Sequence, residues 1–207
     1  MRHPDNPQLG DLSLLARLDA EPPGTWIGQP KKNGHRLLSA FDPASGWAWH
    51  TKTAGMAERF PADLREEWRE FWKFLAYSIV IDSEWVGPRG GVQNVWVLDL
   101  LAVKGQWFSL EPQFRARYAV LAKLYDVGLA GRRPGRIRLM PAYENPGLVT
   151  LFHEQLADPE SEGIVIRRAD SGLRLGSSRC LDNPYWFKVK FQVVNRVLRH
   201  IEKEGGR

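Results

Sequence analysis

Apolar positions recur along the chain with two different periods. Between residues 61 and 75, Leu64, Trp68, Phe71, Trp72 and Leu75 are spaced by three or four, which lines one face of a helix, and Pro61 suits its first turn. A second helical run covers residues 112–125, with Phe114, Tyr118, Leu121 and Tyr125 on one side. Leu148, Leu151, Phe152 and Leu156 predict a third helix, and Val194, Val197, Leu198 and Ile201 a closing one. Runs rich in β-branched and aromatic residues, bounded by turn formers, predict strands at 36–41, 47–51, 78–81, 95–103, 137–140, 163–167 and 186–191. Strands outnumber helices, and most strand-to-strand gaps are hairpin-like or irregular. The expected fold class is therefore α+β, with largely antiparallel sheets flanked by helices.

Composition narrows this picture. A chain of 207 residues, 43% hydrophobic and with nine tryptophans, buries one substantial core, so residues 1–207 are expected to form one domain. Cys180 is the only cysteine, which excludes an intrachain disulfide and a cysteine-based zinc site. Apolar runs are short and the first residues lack the apolar core of a signal peptide, so a cytoplasmic protein without a membrane segment is expected. The net charge of +5 favours a polyanionic partner modestly. Arg132, Arg133, Arg136 and Arg138, with Arg196, Arg199 and Lys203, either bind a polynucleotide backbone or form a solvated surface.

Chemistry concentrates in Trp26-Ile27-Gly28-Gln29-Pro30-Lys31-Lys32-Asn33-Gly34-His35-Arg36, where a lysine stands just before a glycine turn that feeds an apolar strand. The cations Lys32 and Arg36 would favour the neutral, nucleophilic form of Lys31. Taken alone, Lys-Lys-Asn-Gly is also an ordinary hairpin turn. The segment resembles the first motif of the covalent nucleotidyltransferases, the superfamily of ATP-dependent DNA ligases, RNA ligases and capping enzymes, usually written Lys-x-Asp-Gly-x-Arg. Four further pieces follow in the family's order. Ile81-Asp82-Ser83-Glu84-Trp85-Val86 looks like its Asp-Gly-Glu strand and Trp96-Val97-Leu98-Asp99-Leu100-Leu101 like its Phe-Asp strand. Glu162-Gly163-Ile164-Val165-Ile166-Arg167 matches the fourth motif and Trp186-Phe187-Lys188-Val189-Lys190 the fifth.

The resemblance implies a nucleotidyltransferase (ATP-grasp-like) domain and assigns roles to single residues. Lys31 would form a lysyl-AMP phosphoramidate with ATP, Gln29 would read the adenine edge, and Arg36 would contact ribose or nucleic-acid phosphate. Lys52, in Thr51-Lys52-Thr53-Ala54-Gly55, would replace a family arginine that touches phosphate or ribose. Glu84 would accept from the ribose hydroxyls. Leu98 stands where the family stacks an aromatic ring on adenine, so either its aliphatic side chain substitutes or Trp96 supplies the ring, and both residues read equally well as core. Glu162 would hold Mg²⁺ near the α-phosphate. Lys188 and Lys190 alternate with Phe187, Val189 and Phe191, which places both amines on one strand face, where they would neutralise phosphoryl charge. Gly176-Ser177-Ser178-Arg179 resembles a stretch found in DNA ligases and tilts the expected substrate to nicked DNA ends over RNA ends.

Asn33 and Leu98 depart from the family pattern. Only 17 residues follow Lys190, so no C-terminal OB domain is expected; a partner protein would supply its function to an otherwise monomeric enzyme. An RNA ligase, a capping-type guanylyltransferase and a non-catalytic nucleic-acid-binding module are the competing readings.

Overall fold

The computed structural model describes residues 6–52, 55–87, 93–108, 112–133, 135–173 and 182–192. In chain order it contains β1 (Asn6–Gly10), α1 (Leu12–Asp19), β2 (Trp26–Lys32), β3 (His35–Asp42), β4 (Gly46–Thr51), α2 (Ala62–Phe71), β5 (Ile79–Val86) and β6 (Asn94–Val103). There follow β7 (Gln106–Trp107), α3 (Phe114–Leu129), β8 (Ile137–Leu139), β9 (Tyr143–Glu144), α4 (Leu148–Glu154), β10 (Ser161–Arg168) and β11 (Asp182–Lys190). The chain packs as two compact units, the first built on Gly34–Met140.

In the first unit the strands run in the order β4-β3-β5-β6-β7, all antiparallel, and β8 lies parallel against β6. Strand alternation divides the sheet. Leu37, Ile81, Val95, Val97 and Leu100 join Leu64, Trp68 and Phe71 of α2 and Leu121 and Tyr125 of α3 in one core. Leu38, Val80 and Leu101 pack in a smaller cluster with Leu173. α2 is entered from Pro61, which takes the cap position, and it ends at Phe71, earlier than the apolar spacing suggests. Trp72 and Leu75 still reach the core, from the turn that follows. α3 starts two residues later than the predicted run and extends to Leu129; its buried side is Phe114, Arg117, Leu121, Tyr125 and Gly128, so Arg117 takes a place expected for an apolar residue.

The second unit carries the sheet β1-β11-β10-β2-β9, in which β1 runs parallel to β11 and the other neighbours are antiparallel. Leu15 and Leu18 of α1, Leu148, Leu151 and Phe152 of α4, and Trp26, Ile164, Ile166 and Val189 of the sheet form its core. Asp19 accepts hydrogen bonds from the backbone N–H of Gly147 and Leu148, supplying the missing partners at the start of α4. α4 passes into a 3₁₀ turn, Gln155–Ala157, which breaks the helical period and leaves Leu156 exposed although the spacing predicts it buried.

The seven expected strands are all present. β1, β2, β7, β9 and α1 are additional. β2 escapes the pattern because Gly28 and Pro30 interrupt it and five consecutive residues are buried, so neither alternation nor a β-branched run marks it. The closing helix suggested by Val194, Val197, Leu198 and Ile201 lies outside the described residues. No helix among the described residues is long and apolar enough to cross a membrane.

Candidate active site

Alternation along β2 sends Gln29 and Lys31 to one face of its sheet and Pro30 and Lys32 to the other. Lys31 lies opposite Gly163 of β10, which in turn lies opposite Lys190 of β11. Gln29 lies opposite Val165, and Val165 opposite Lys188. Register thus collects Gln29, Lys31, Lys188 and Lys190 on one face. Val189, between the two β11 lysines, is fully buried on the other face, as the alternating sequence predicts. Gln29 is buried and sits within its strand rather than at its end.

The β2–β10 register shifts between Ser161 and Gly163, which makes Glu162 the extra residue of a bulge. A bulge re-aims the side chain, and Glu162 lies across the lysine face. Its Oε1 accepts from Lys31 Nζ and its Oε2 from Lys190 Nζ at 2.9 Å. All three side chains are half-buried, with relative exposures of 20%, 27% and 29% for Lys31, Glu162 and Lys190. Burial alone would push the Glu162 carboxyl up; the hydrogen bonds from Lys31 and Lys190 outweigh it and hold the group below its ordinary value. Gly163 has φ 140°, and a Cβ there would stand 1.9 Å from the Val189 carbonyl oxygen, so only glycine permits this approach of β10 to β11.

Lys32 does not act on Lys31 as the sequence suggests. It is buried on the opposite face and its ammonium is paired with Asp158 Oδ2. Arg36 is likewise committed: its Nε and Nη2 donate to the two oxygens of buried Asp82, at 2.8 and 2.5 Å. Burial would lower the pKa of the Arg36 guanidinium, but Asp82, and then Glu84 and Asp99, reverse this and raise it. The hairpin reading of Asn33-Gly34 does not hold either. β2 and β3 belong to different sheets, and Asn33 N–H instead donates to the Glu160 carbonyl oxygen at 2.8 Å.

In the first unit, Arg36, Glu84, Trp96 and Arg138 stand opposite one another on successive strands β3, β5, β6 and β8. Glu84 is half-buried. Asp99 and Val97 pair with adjacent residues of β5, so Leu98 is the extra residue of a second bulge. Val95 and Val97 take the core, whereas Trp96 and Leu98 are only half-buried, and the Arg138 guanidinium lies 5.5 Å from the Trp96 ring centroid. Lys52 follows the end of β4 and is exposed. The Gly176-Ser177-Ser178-Arg179 stretch, with Arg196, Arg199 and Lys203, lies outside the described residues.

Three carboxylates that sequence reasoning left without a role organise these groups: Asp82 on Arg36, Asp158 on Lys32, and Asp99 on Arg117, whose Nε and Nη2 donate to it at 3.1 and 2.9 Å. A charge inside an apolar strand, or at a core position of a helical period, is the signal for such a partner. Among the described residues no group of three or more His, Cys, Asp or Glu side chains could hold a metal ion. Glu162 is the carboxylate that the lysine cluster offers. This fits a Mg²⁺ that arrives with substrate phosphates and keeps most of its waters, and it does not fit a metal centre built by the protein.

Two largely antiparallel sheets, helices packed on them, and a lysine at a strand end define an α+β nucleotidyltransferase fold, and the chain has the fold of the nucleotidyltransferase domains of polynucleotide ligases. It is similar to a mycobacterial DNA ligase D complexed with ATP and MES, at 19% identity over 92% of this chain and 60% of that one, with a TM-score of 0.66. It is also similar to the ATP-dependent DNA ligase of bacteriophage T7 in complex with ATP, at 13% identity, 90% and 68% coverage and a TM-score of 0.56. A variant of Naegleria gruberi RNA ligase with ATP and Mn matches at 14% identity, 96% and 58% coverage and a TM-score of 0.54. The chain thus spans 60% of the length of the mycobacterial ligase. No family model and no curated protein sequence matches it.

Proposed function

We propose that the protein is an ATP-dependent polynucleotide ligase acting on nicked DNA through a lysyl-AMP intermediate on Lys31. The observation that carries this reading is the meeting of Lys31, Glu162 and Lys190 on one sheet face, with Gln29 and Lys188 in the next row. Lys31 must release a proton to attack the α-phosphate; the N–P bond then forms as the bond to pyrophosphate breaks. Lys188 and Lys190 present positive charge to the transferring group, where fixed charges stabilise a transition state most effectively. Glu162 orients Lys31 and is the residue that would touch a nucleotide-bound Mg²⁺. Gln29, Arg36, Lys52, Glu84 and Leu98 are proposed to bind the nucleotide, and the AMP group then passes to a 5′-phosphate that a 3′-hydroxyl displaces. DNA ligases among the structural neighbours support DNA as the substrate, while the RNA ligase neighbour makes RNA ends the alternative.

Intact-mass measurement after incubation with ATP and Mg²⁺ tests the first step, with GTP and NAD⁺ in parallel. The expected result is a mass increase of one AMP that Lys31→Ala abolishes, followed by transfer to nicked DNA in preference to nicked RNA. No adduct with any nucleotide would leave a nucleic-acid-binding module as the reading.

A further inference from the structure

Two consecutive lysines stand at the end of β2, and strand geometry turns them to opposite faces. A slip of one residue at this strand end would exchange them, presenting Lys32 to Glu162 in place of Lys31. The bulge already present between Ser161 and Gly163 marks the point at which such a slip is easiest, because the ladder is interrupted there. What distinguishes the two lysines is the opposite face. Lys32 is buried there, its side chain only 6% exposed, and a buried ammonium is tolerated only when it is paired.

Asp158 supplies that pairing. Its Oδ2 accepts from Lys32 Nζ, while its Oδ1 accepts from the Glu160 backbone N–H at 2.9 Å, and its carbonyl oxygen accepts from the Ser161 N–H at 3.0 Å. The same short segment grips the other side of the lysine pair. Glu160 accepts from Asn33 N–H at 2.8 Å, and Ser161 lies opposite Lys32 in the ladder. The residues immediately before Glu162 are therefore tied to those on both sides of Lys31, from the face that does not carry the chemistry.

We infer that Asp158 is a positioning residue whose ion pair with Lys32 fixes the strand register that turns Lys31, rather than Lys32, toward Glu162. The inference rests on the proposed role of Lys31, but its consequence for geometry is measurable without any reaction. Removing Asp158 alone leaves a buried, unpaired ammonium that escapes to solvent only if the strand end moves. Replacing Lys32 by an apolar side chain of similar length removes that charge and keeps the buried face occupied, so the register persists.

The test measures amine labelling residue by residue, with exposed Lys73 as internal reference, together with the rate of AMP-adduct formation against ATP concentration. In Asp158→Asn, Lys31 labelling is expected to rise toward that of Lys73, and the maximal adduct rate to fall by about 10²-fold, the scale of an ångström-level misplacement of a reacting group. The half-saturating ATP concentration is expected to stay at the wild-type value. The double variant Asp158→Asn/Lys32→Met is expected to restore both labelling and rate, which a loss of general stability would not do. Wild-type Lys31 labelling in Asp158→Asn, or a double variant as impaired as the single one, overturns the inference. Should Asp158→Asn fail to fold, Asp158→Glu carries the same labelling test, with an intermediate rise expected and an unchanged value decisive against it. Absence of any adduct in the wild type would remove the proposed function, and labelling would still decide the role of Asp158.

Discussion

Glu162 bears one negative charge between two ammonium groups, and its protonation is the point at which acid acts on this face. Its folded pKa is depressed below the value of the unfolded chain, the hydrogen bonds from Lys31 and Lys190 outweighing burial. A carboxylate shifted in this direction contributes stability that is complete above its unfolded pKa and is lost as pH falls through the lower, folded value. Charge-assisted hydrogen bonds of this kind contribute on the order of 1–3 kcal/mol. Urea unfolding of wild type and Glu162→Gln is expected to differ by that amount at pH 7, and the difference is expected to shrink once the pH drops below the ordinary glutamate range. A difference independent of pH would mean that the Glu162 carboxylate is not held by the two lysines. From the sequence, Glu-Gly before an apolar run marked this residue as chemically interesting. Its two lysine partners, 131 and 28 positions away in the chain, depend on strand pairing that no local pattern specifies.

β10 is the element that assembles the face, because it is paired on both sides and carries the bulge. At Gly163 two requirements coincide: φ of 140° and a carbonyl oxygen 1.9 Å from where a Cβ would stand. Gly163→Ala must therefore move β10 away from β11 or flatten the bulge, and either movement draws Glu162 off Lys190. The backbone strain alone is worth about 1–3 kcal/mol. The expected outcome is a lower urea midpoint together with loss of the AMP adduct, read by intact mass; a stable variant that still forms the adduct at the wild-type rate would show that the bulge is dispensable. The same strand shows where sequence reading succeeds. β10 and β11 alternate apolar and polar residues over enough positions to mark both the strand and the face of Lys188 and Lys190. β2, their partner, was hidden by Gly28 and Pro30, so Lys31 was expected in a turn although it ends a strand. α3 shows the opposite effect, since Arg117 occupies a core position and only its partner Asp99, on β6, explains why.

Across the whole molecule, 29 basic and 24 acidic side chains leave a net charge of +5, and the sequence suggests that the arginines around residues 132–138 carry the surplus to a polynucleotide. Pairing redistributes that charge. Arg136 donates through Nε to Glu67 at 2.7 Å and through Nη1 to Asp63 at 2.6 Å, its backbone N–H donates to Glu67 as well, and Arg132 lies 3.9 Å from Glu70. The hydrogen bonds from Asp63 and Glu67 raise the Arg136 pKa, so this cation ties β8 to α2. Sequence spacing shows a cluster of arginines but not the carboxylates of a helix some 70 residues earlier that neutralise it. A cation that meets a phosphate contributes about 0.9 to the slope of log affinity against log salt on duplex DNA. Arg136→Met is expected to lower the unfolding free energy by roughly 1–3 kcal/mol through the two lost charge-assisted bonds. The salt slope for nicked DNA is expected to stay at the wild-type value. A slope reduced by about 0.9 with stability intact would return Arg136 to the nucleic-acid surface, because a charge bound to Asp63 and Glu67 cannot also release counterions from the duplex.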